Sequence, residues 1–118
     1  MKTILIVIER RADYSRYRPV MELLKEDPEF AIHLVVTGIN LLPGHGEDIE
    51  KFKADGFEVN DTIEMFTEDS PDTGAEMSRG IARVMSGVTD ILERVKPDLV
   101  LTGFDIGANF ATTVAAAH

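Results

Sequence analysis

Apolar positions in this chain alternate between two periods. Thr3 to Ile8 read Thr-Ile-Leu-Ile-Val-Ile, a nearly unbroken β-branched run of the kind carried by a strand buried on both faces. From Tyr14 to Lys25 the spacing lengthens. Tyr17, Val20, Met21 and Leu24 recur at helical intervals, and Pro28 closes the segment. Ala31 to Thr37 reads as a second strand, followed by a loop over Gly38 to Gly46 with Pro43-Gly44 as its breaker. Glu47 to Asp55 reads as a short helix with Ile49 and Phe52 inward and Gly56 at its end. Phe57 to Ile63 makes a weaker strand, and Thr67 to Thr73 an acidic loop. A long helix, starting at Pro71 or Gly74 and ending at Val95, carries the stripe Met77, Ile81, Val84, Met85, Val88, Ile91, Leu92 and Val95. Lys96-Pro97-Asp98 turns the chain into a buried strand over Leu99 to Thr102, with Gly103 to Gly107 as its outlet. An alanine-rich helix runs from Ile106 to His118.

Strand and helix thus alternate four times, the pattern of an α/β fold: a Rossmann-like, three-layer, doubly wound parallel sheet. Right-handed crossovers favour the sheet order 3-2-1-4. No internal repeat, low-complexity segment or linker interrupts it. The pattern stops within a helix, at Ala115-Ala116-Ala117-His118, without a Gly, Pro or polar cap. The expectation is a part of a longer protein, with a complete small domain as the alternative.

Composition narrows the chemistry. The 118 residues fit one domain, and 44% hydrophobic content supplies a core. No cysteine is present, so disulfides, thiol nucleophiles and thiolate metal sites are excluded. No apolar run is long enough to span a membrane, and the N-terminus reads as a strand rather than a signal peptide. A cytoplasmic protein is the expectation. Net charge is −9, from 21 acids against 12 bases, which repels nucleic acid at long range. Arg10, Arg11, Arg16 and Arg18 form a local basic exception suited to phosphate. The plainer reading makes Arg16 and Arg18 solvated positions on the first helix.

In open α/β sheets, ligands sit outside the carboxyl ends of the strands, at the topological switch point. Arg11 follows the first strand and Asp105 the fourth, and these strands are predicted to be neighbours. A permanent cation and a carboxylate facing one crevice suit a phosphorylated ligand and acid–base chemistry. The alternatives are a structural Arg–Asp pair, or Asp105 capping the last helix. Gly38 and the Gly44-His45-Gly46 turn lie at the same rim, where His45 would titrate near neutrality. His33 alternates within a strand and reads as structural. Asp48, Glu50, Asp69 and Asp72 read as solvated acids. The sequence contains no HExxH motif and no phosphate-binding GxxxxGK[ST] loop, and no GxGxxG follows the first strand.

Arg11-Ala12-Asp13-Tyr14 resembles the Arg-Ala-Glu-Tyr signature of hydrolysing UDP-N-acetylglucosamine 2-epimerases. Leu34-Val35-Val36-Thr37-Gly38, with Gly46 beyond it, resembles the end of their second strand. Lys53-Ala54-Asp55-Gly56-Phe57 resembles their turn into the third. Lys96 to Leu101 followed by Asp105, and Phe110 to Ala116, resemble the strand that delivers a catalytic Asp and the helix behind it. The resemblance implies a glycosyltransferase-B-like enzyme of two Rossmann-like domains. Residues 1–118 would be an incomplete N-terminal domain, without the C-terminal UDP-binding domain. It further implies conversion of UDP-N-acetylglucosamine to UDP and N-acetylmannosamine, by elimination and hydration at the sugar C1/C2, feeding sialic-acid-type sugars. Asp105 would be the catalytic acid/base. Arg11 would meet the diphosphate, and Asp13, Gly38 and Gly46 would complete the substrate site. No metal or cofactor is implied, and the full-length protein is expected to be a homo-oligomer, a dimer. The chain alone is expected to be inactive.

Three departures set this chain apart. Glu9-Arg10 stands where the family carries Gly-Ser or Gly-Thr, Phe104 precedes Asp105 in place of glycine, and Asn40 stands where histidine is usual. The Glu9 and Phe104 changes keep open an inactive UDP-sugar-binding protein; the non-hydrolysing epimerase is a close variant that tends to carry Arg-Pro-Glu where this chain has Arg-Ala-Asp. A response-regulator receiver fits the length and alternation. It would need an acidic pair after the first strand and a phospho-accepting Asp after the third. Here arginines follow Glu9, and Glu64 stands at the third-strand end.

Overall fold

The computed structural model describes residues 1–42, 47–103 and 107–118. Strand β1 (Lys2–Ile8) leads into helix α1 (Arg11–Glu26). Strand β2 (Phe30–Thr37) ends in a 3₁₀ turn (Gly38–Leu41). Helix α2 (Glu47–Ala54), strand β3 (Val59–Ile63), helix α3 (Gly74–Val95), strand β4 (Leu99–Leu101) and helix α4 (Ala108–Ala117) follow. The strands form one parallel sheet in the order β3-β2-β1-β4, as the alternation predicts. β1 is central. It pairs with β2 from Lys2–Phe30 to Ile8–Val36, and with β4 from Ile4–Leu99 to Ile6–Leu101.

Alternation along β1 divides its side chains between two cores. Ile4, Ile6 and Ile8 pack with Tyr14, Tyr17 and Met21 of α1 and with Phe52 of α2. Leu5 and Val7 pack on the opposite face with Val84, Val88 and Ile91 of α3 and with Ala108 and Ala111 of α4. Each such side chain contributes about 1.5–3 kcal/mol on burial. This two-sided burial makes the sheet the middle of three layers and fixes all strand ends on one rim.

Some boundaries differ from the sequence pattern, each for a local reason. α1 begins at Arg11 rather than Tyr14, because the Asp13 carboxylate accepts hydrogen bonds from the backbone N–H groups of Glu9 and Arg10 and so caps an earlier first turn. β3 starts at Val59 rather than Phe57, which instead donates its N–H to Phe52 and buries its ring. β2 and β3 shift register between Leu34 and Val35, where the Asn60 side chain accepts from the Leu34 N–H. α3 is capped by Thr73, whose hydroxyl accepts from the Glu76 N–H at 3.1 Å. No helix among the described residues is long and apolar enough to cross a membrane.

Candidate functional site

The carboxyl ends of β1, β2 and β3, with the first turn of α1, build one side of the rim. Arg11 opens α1, and its guanidinium reaches Asp48 of α2, with Nη2 donating to Oδ1 at 2.7 Å and Nε at 3.3 Å. The pair is lopsided: the Arg11 side chain is 67% exposed, that of Asp48 only 7%. Asp48 is thus a buried, paired carboxylate rather than the solvated acid expected from sequence. It anchors Arg11 while leaving much of the guanidinium facing water.

Asp13, expected beside the substrate, is 1% exposed. One oxygen accepts from the Glu9 and Arg10 N–H groups at 3.1 Å each, and the other from Asn109 Nδ2 at 3.2 Å. Its carboxylate faces inward and joins the start of α1 to the start of α4. Asn109 continues the network: its Oδ1 accepts from the Tyr17 hydroxyl at 2.8 Å and from the Gly103 N–H at 2.9 Å. Beneath the switch point, then, lies a buried polar lattice that fixes α1 against α4. Buried groups this well satisfied rigidify what they join.

Gly38 is at the rim with φ +71°, and a Cβ there would stand 2.5 Å from Glu9 Cγ. Only glycine fits that backbone and that space together. Asn40 is fully buried. Its Nδ2 donates to the carbonyls of Glu9 (2.7 Å) and Thr37 (3.0 Å), while its Oδ1 has no hydrogen-bond partner among the described residues. Asp105, Gly46 and His45 lie outside the described residues. Among the described residues no cluster of His, Asp and Glu has the makings of a metal site.

A cleft of about 350 Å³ opens on the β1–β2–β3 side of this rim, lined among others by Glu9, Arg10, Ile39, Phe66, Thr67 and Met77. The loop between β3 and α3, read from sequence only as acidic, forms its far wall. Glu76 fixes that wall. It accepts from Ser70 Oγ at 2.6 Å and pairs with Arg83, which also donates to the Met65 carbonyl. Hydrogen bonds from Arg83, then from Ser70, hold the Glu76 carboxyl below its ordinary range. A larger hollow of about 1030 Å³ runs along the open edge of β4 between α3 and α4. It reaches Pro97 and Asp98 at the amino end of that strand, away from the rim where open α/β sheets bind ligands. The smaller cleft is therefore the candidate site. Glu9, which lines this cleft, and the buried Asn40 beside it stood out in the sequence only as departures from the family pattern, Asp48 only as a solvated acid, and Asn109 not at all.

No family model matches the chain. By sequence it is 29% identical over 118 residues to the UDP-N,N'-diacetylbacillosamine 2-epimerase (hydrolyzing) of Legionella pneumophila, covering 100% of this chain and 31% of the relative. It is 20% identical over 101 residues to the UDP-N-acetylglucosamine 2-epimerase of Neisseria meningitidis serogroup B, covering 86% of this chain and 26% of that one. By structure it superposes on the Neisseria meningitidis UDP-GlcNAc 2-epimerase bound to UDP-GlcNAc with a TM-score of 0.77 at 21% identity, covering 97% of this chain and 28% of that one. The chain thus spans under a third of these relatives' length. From end to end, by sequence and by fold, it is similar to the UDP-N-acetylglucosamine 2-epimerases.

Proposed function

We propose that this chain is the N-terminal domain of a hydrolysing UDP-N-acetylglucosamine 2-epimerase, cytoplasmic and dimeric when joined to a UDP-binding C-terminal domain. One observation carries the reading: the whole-length identity to a relative named as hydrolysing. In this reading the substrate is held between the domains, against the carboxyl rim of the sheet. Asp105 moves the proton at the sugar C2 as UDP leaves, giving a glycal that takes up water. Arg11, held by Asp48 yet open to solvent, stabilises negative charge on the departing diphosphate. Gly38 and Gly46 allow close backbone approach. Asp13 serves as a positioning residue, since its carboxylate is spent on Glu9, Arg10 and Asn109.

A second sugar is favoured by the Legionella relative's name: a UDP-diacetamido sugar in place of UDP-N-acetylglucosamine. Incubation of the full-length gene product with each sugar nucleotide, followed by proton NMR, separates the readings. Release of UDP with an N-acetylmannosamine-type free sugar is the expected result. A UDP-linked epimer would indicate the non-hydrolysing reaction, and UDP binding without turnover an inactive binder.

A further inference from the structure

The cleft on the β1–β2–β3 side is poorly suited to a phosphate. Among its described lining residues, Glu9, Glu68 and Asp72 are acidic and only Arg10 is basic. An anion entering it meets more like charge than opposite charge. Its apolar residues, Ile39, Phe66 and Met77 among them, favour a group that is uncharged and partly apolar. The volume, about 350 Å³, is that of a small-molecule site, roughly 300–1,000 Å³, where apolar walls are joined by a few polar groups. Thr67 and Thr73 also line it, and their hydroxyls can donate and accept.

The far wall is fixed at three points. Arg83 Nη1 donates to the Met65 carbonyl at 2.6 Å. Ser70 Oγ donates to the buried Glu76 at 2.6 Å. Gly80 of α3 leaves space for the Phe66 ring: an added Cβ would stand 2.8 Å from Phe66 Cε1 and 3.1 Å from Met65 Cγ. A helix that omits one side chain thus seats an aromatic ring just past β3. Phe66 stays partly exposed, and Ile39 on the other side of the cleft is 40% exposed. Apolar surface on both sides is therefore held ready for a ligand, the condition for a preorganised site.

We propose, resting on the sugar-nucleotide function above, that this cleft receives an uncharged acylamino substituent of the sugar, with Phe66 as a specificity-determining residue. The alkyl end of the substituent packs on Phe66, Ile39 and Met77, and its amide meets the threonine hydroxyls. The diphosphate stays outside, at the exposed guanidinium of Arg11. In that function the reacting C2, with its own acylamino group, lies past the end of β4. A second group elsewhere on the ring reaches across β1 into the cleft. A sugar with two acylamino groups is therefore preferred to N-acetylglucosamine.

The test is proton NMR saturation transfer and titration on the full-length gene product and its Phe66→Ala and Ile39→Ala variants. The ligands are N-acetylglucosamine and a diacetamido hexose, each free and UDP-linked. Thermal melting identifies the variants that keep the fold; Ile39, already 40% exposed, supplies one that tolerates truncation. The diacetamido hexose is expected to bind about tenfold more tightly than N-acetylglucosamine, with the strongest transfer to its acyl methyl protons. That advantage is expected to be lost in Phe66→Ala and reduced in Ile39→Ala. Equal affinity for the two sugars in the unaltered protein overturns the proposal, as does an advantage undiminished in either folded variant. A Phe66-dependent advantage with no gain from the UDP group upholds the role of the cleft and counts against the sugar-nucleotide function. A gain from the UDP group with no advantage for the second acylamino group leaves that function standing and overturns the role of the cleft.

Discussion

The two sides of the rim use their polar groups in opposite ways. On the β1–β4 side, Asp13, Tyr17, Asn109 and the Glu9 carboxylate close on one another and on backbone amides. On the β1–β2–β3 side, a cleft stays open between Ile39, Phe66 and Met77, and the acids Glu68 and Asp72 on its wall are exposed. One side is a clamp and the other a receptacle. A charged residue near a switch point is therefore not by that fact a ligand contact. Some of the charge there is spent on fixing the two helices whose ends form the site, which is the condition for a preorganised one.

Asp13 offers the strongest way to break this contrast. Asp13→Ala would orphan three donors, the N–H groups of Glu9 and Arg10 and the Asn109 amide. It should cost about 3 kcal/mol in urea unfolding. Asp72→Ala in the open wall should stay within about 0.5 kcal/mol, and equal losses would erase the distinction. Asn109→Ala comes next, at about 2 kcal/mol, because it removes the shared acceptor of the Tyr17 hydroxyl and the Gly103 N–H.

The Arg11–Asp48 pair sharpens the comparison through its asymmetry. Arg11→Ala leaves a buried carboxylate without its cation and should cost about 1 kcal/mol, reduced by the solvent around the guanidinium. Asp48→Ala leaves the guanidinium in water and should cost less in the same urea series. Acid titration gives the smallest effect. The carboxyl of Glu76 is held low by Arg83 and Ser70. That of Asp55 is held low by the Tyr14 hydroxyl, at 2.5 Å, and by Arg18 and Lys51. Such groups add stability that is complete above the unfolded carboxylate pKa, about 4, and is lost as pH falls through the lower folded values. Melting temperature should fall on acidification below about pH 4, and Glu76→Gln should flatten part of that slope.

Much of the scaffold was legible because it follows from period. The β-branched run of β1 marked a strand buried on both faces. The stripe on α3 buried Val84, Val88 and Ile91, and strand–helix alternation gave the order of the sheet. The position of Arg11 at a strand end was legible for the same reason. Its partner was not. Periodicity put Asp48 on a short helix, but nothing local shows that a carboxylate will be buried against a guanidinium 37 residues away. Glu9 stood out only as a departure from the family pattern, and Asn109 did not stand out at all. Each earns its place from groups brought near only by the closed sheet, Ala108 for the first and Asp13 and Gly103 for the second. For Asp13 the signature showed a carboxylate next to Arg11 but not the partners that bury it, the Glu9 and Arg10 N–H groups and Asn109.

On the proposed function, this rim carries sugar-nucleotide chemistry through Asp105, on a scaffold held by the buried lattice. UDP release from UDP-N-acetylglucosamine by the full-length protein, compared with its Asp105→Asn variant, tests it most directly. The expected result is a rate lower by about 10²-fold or more with an unchanged melting temperature. An undiminished rate in a folded variant would contradict it.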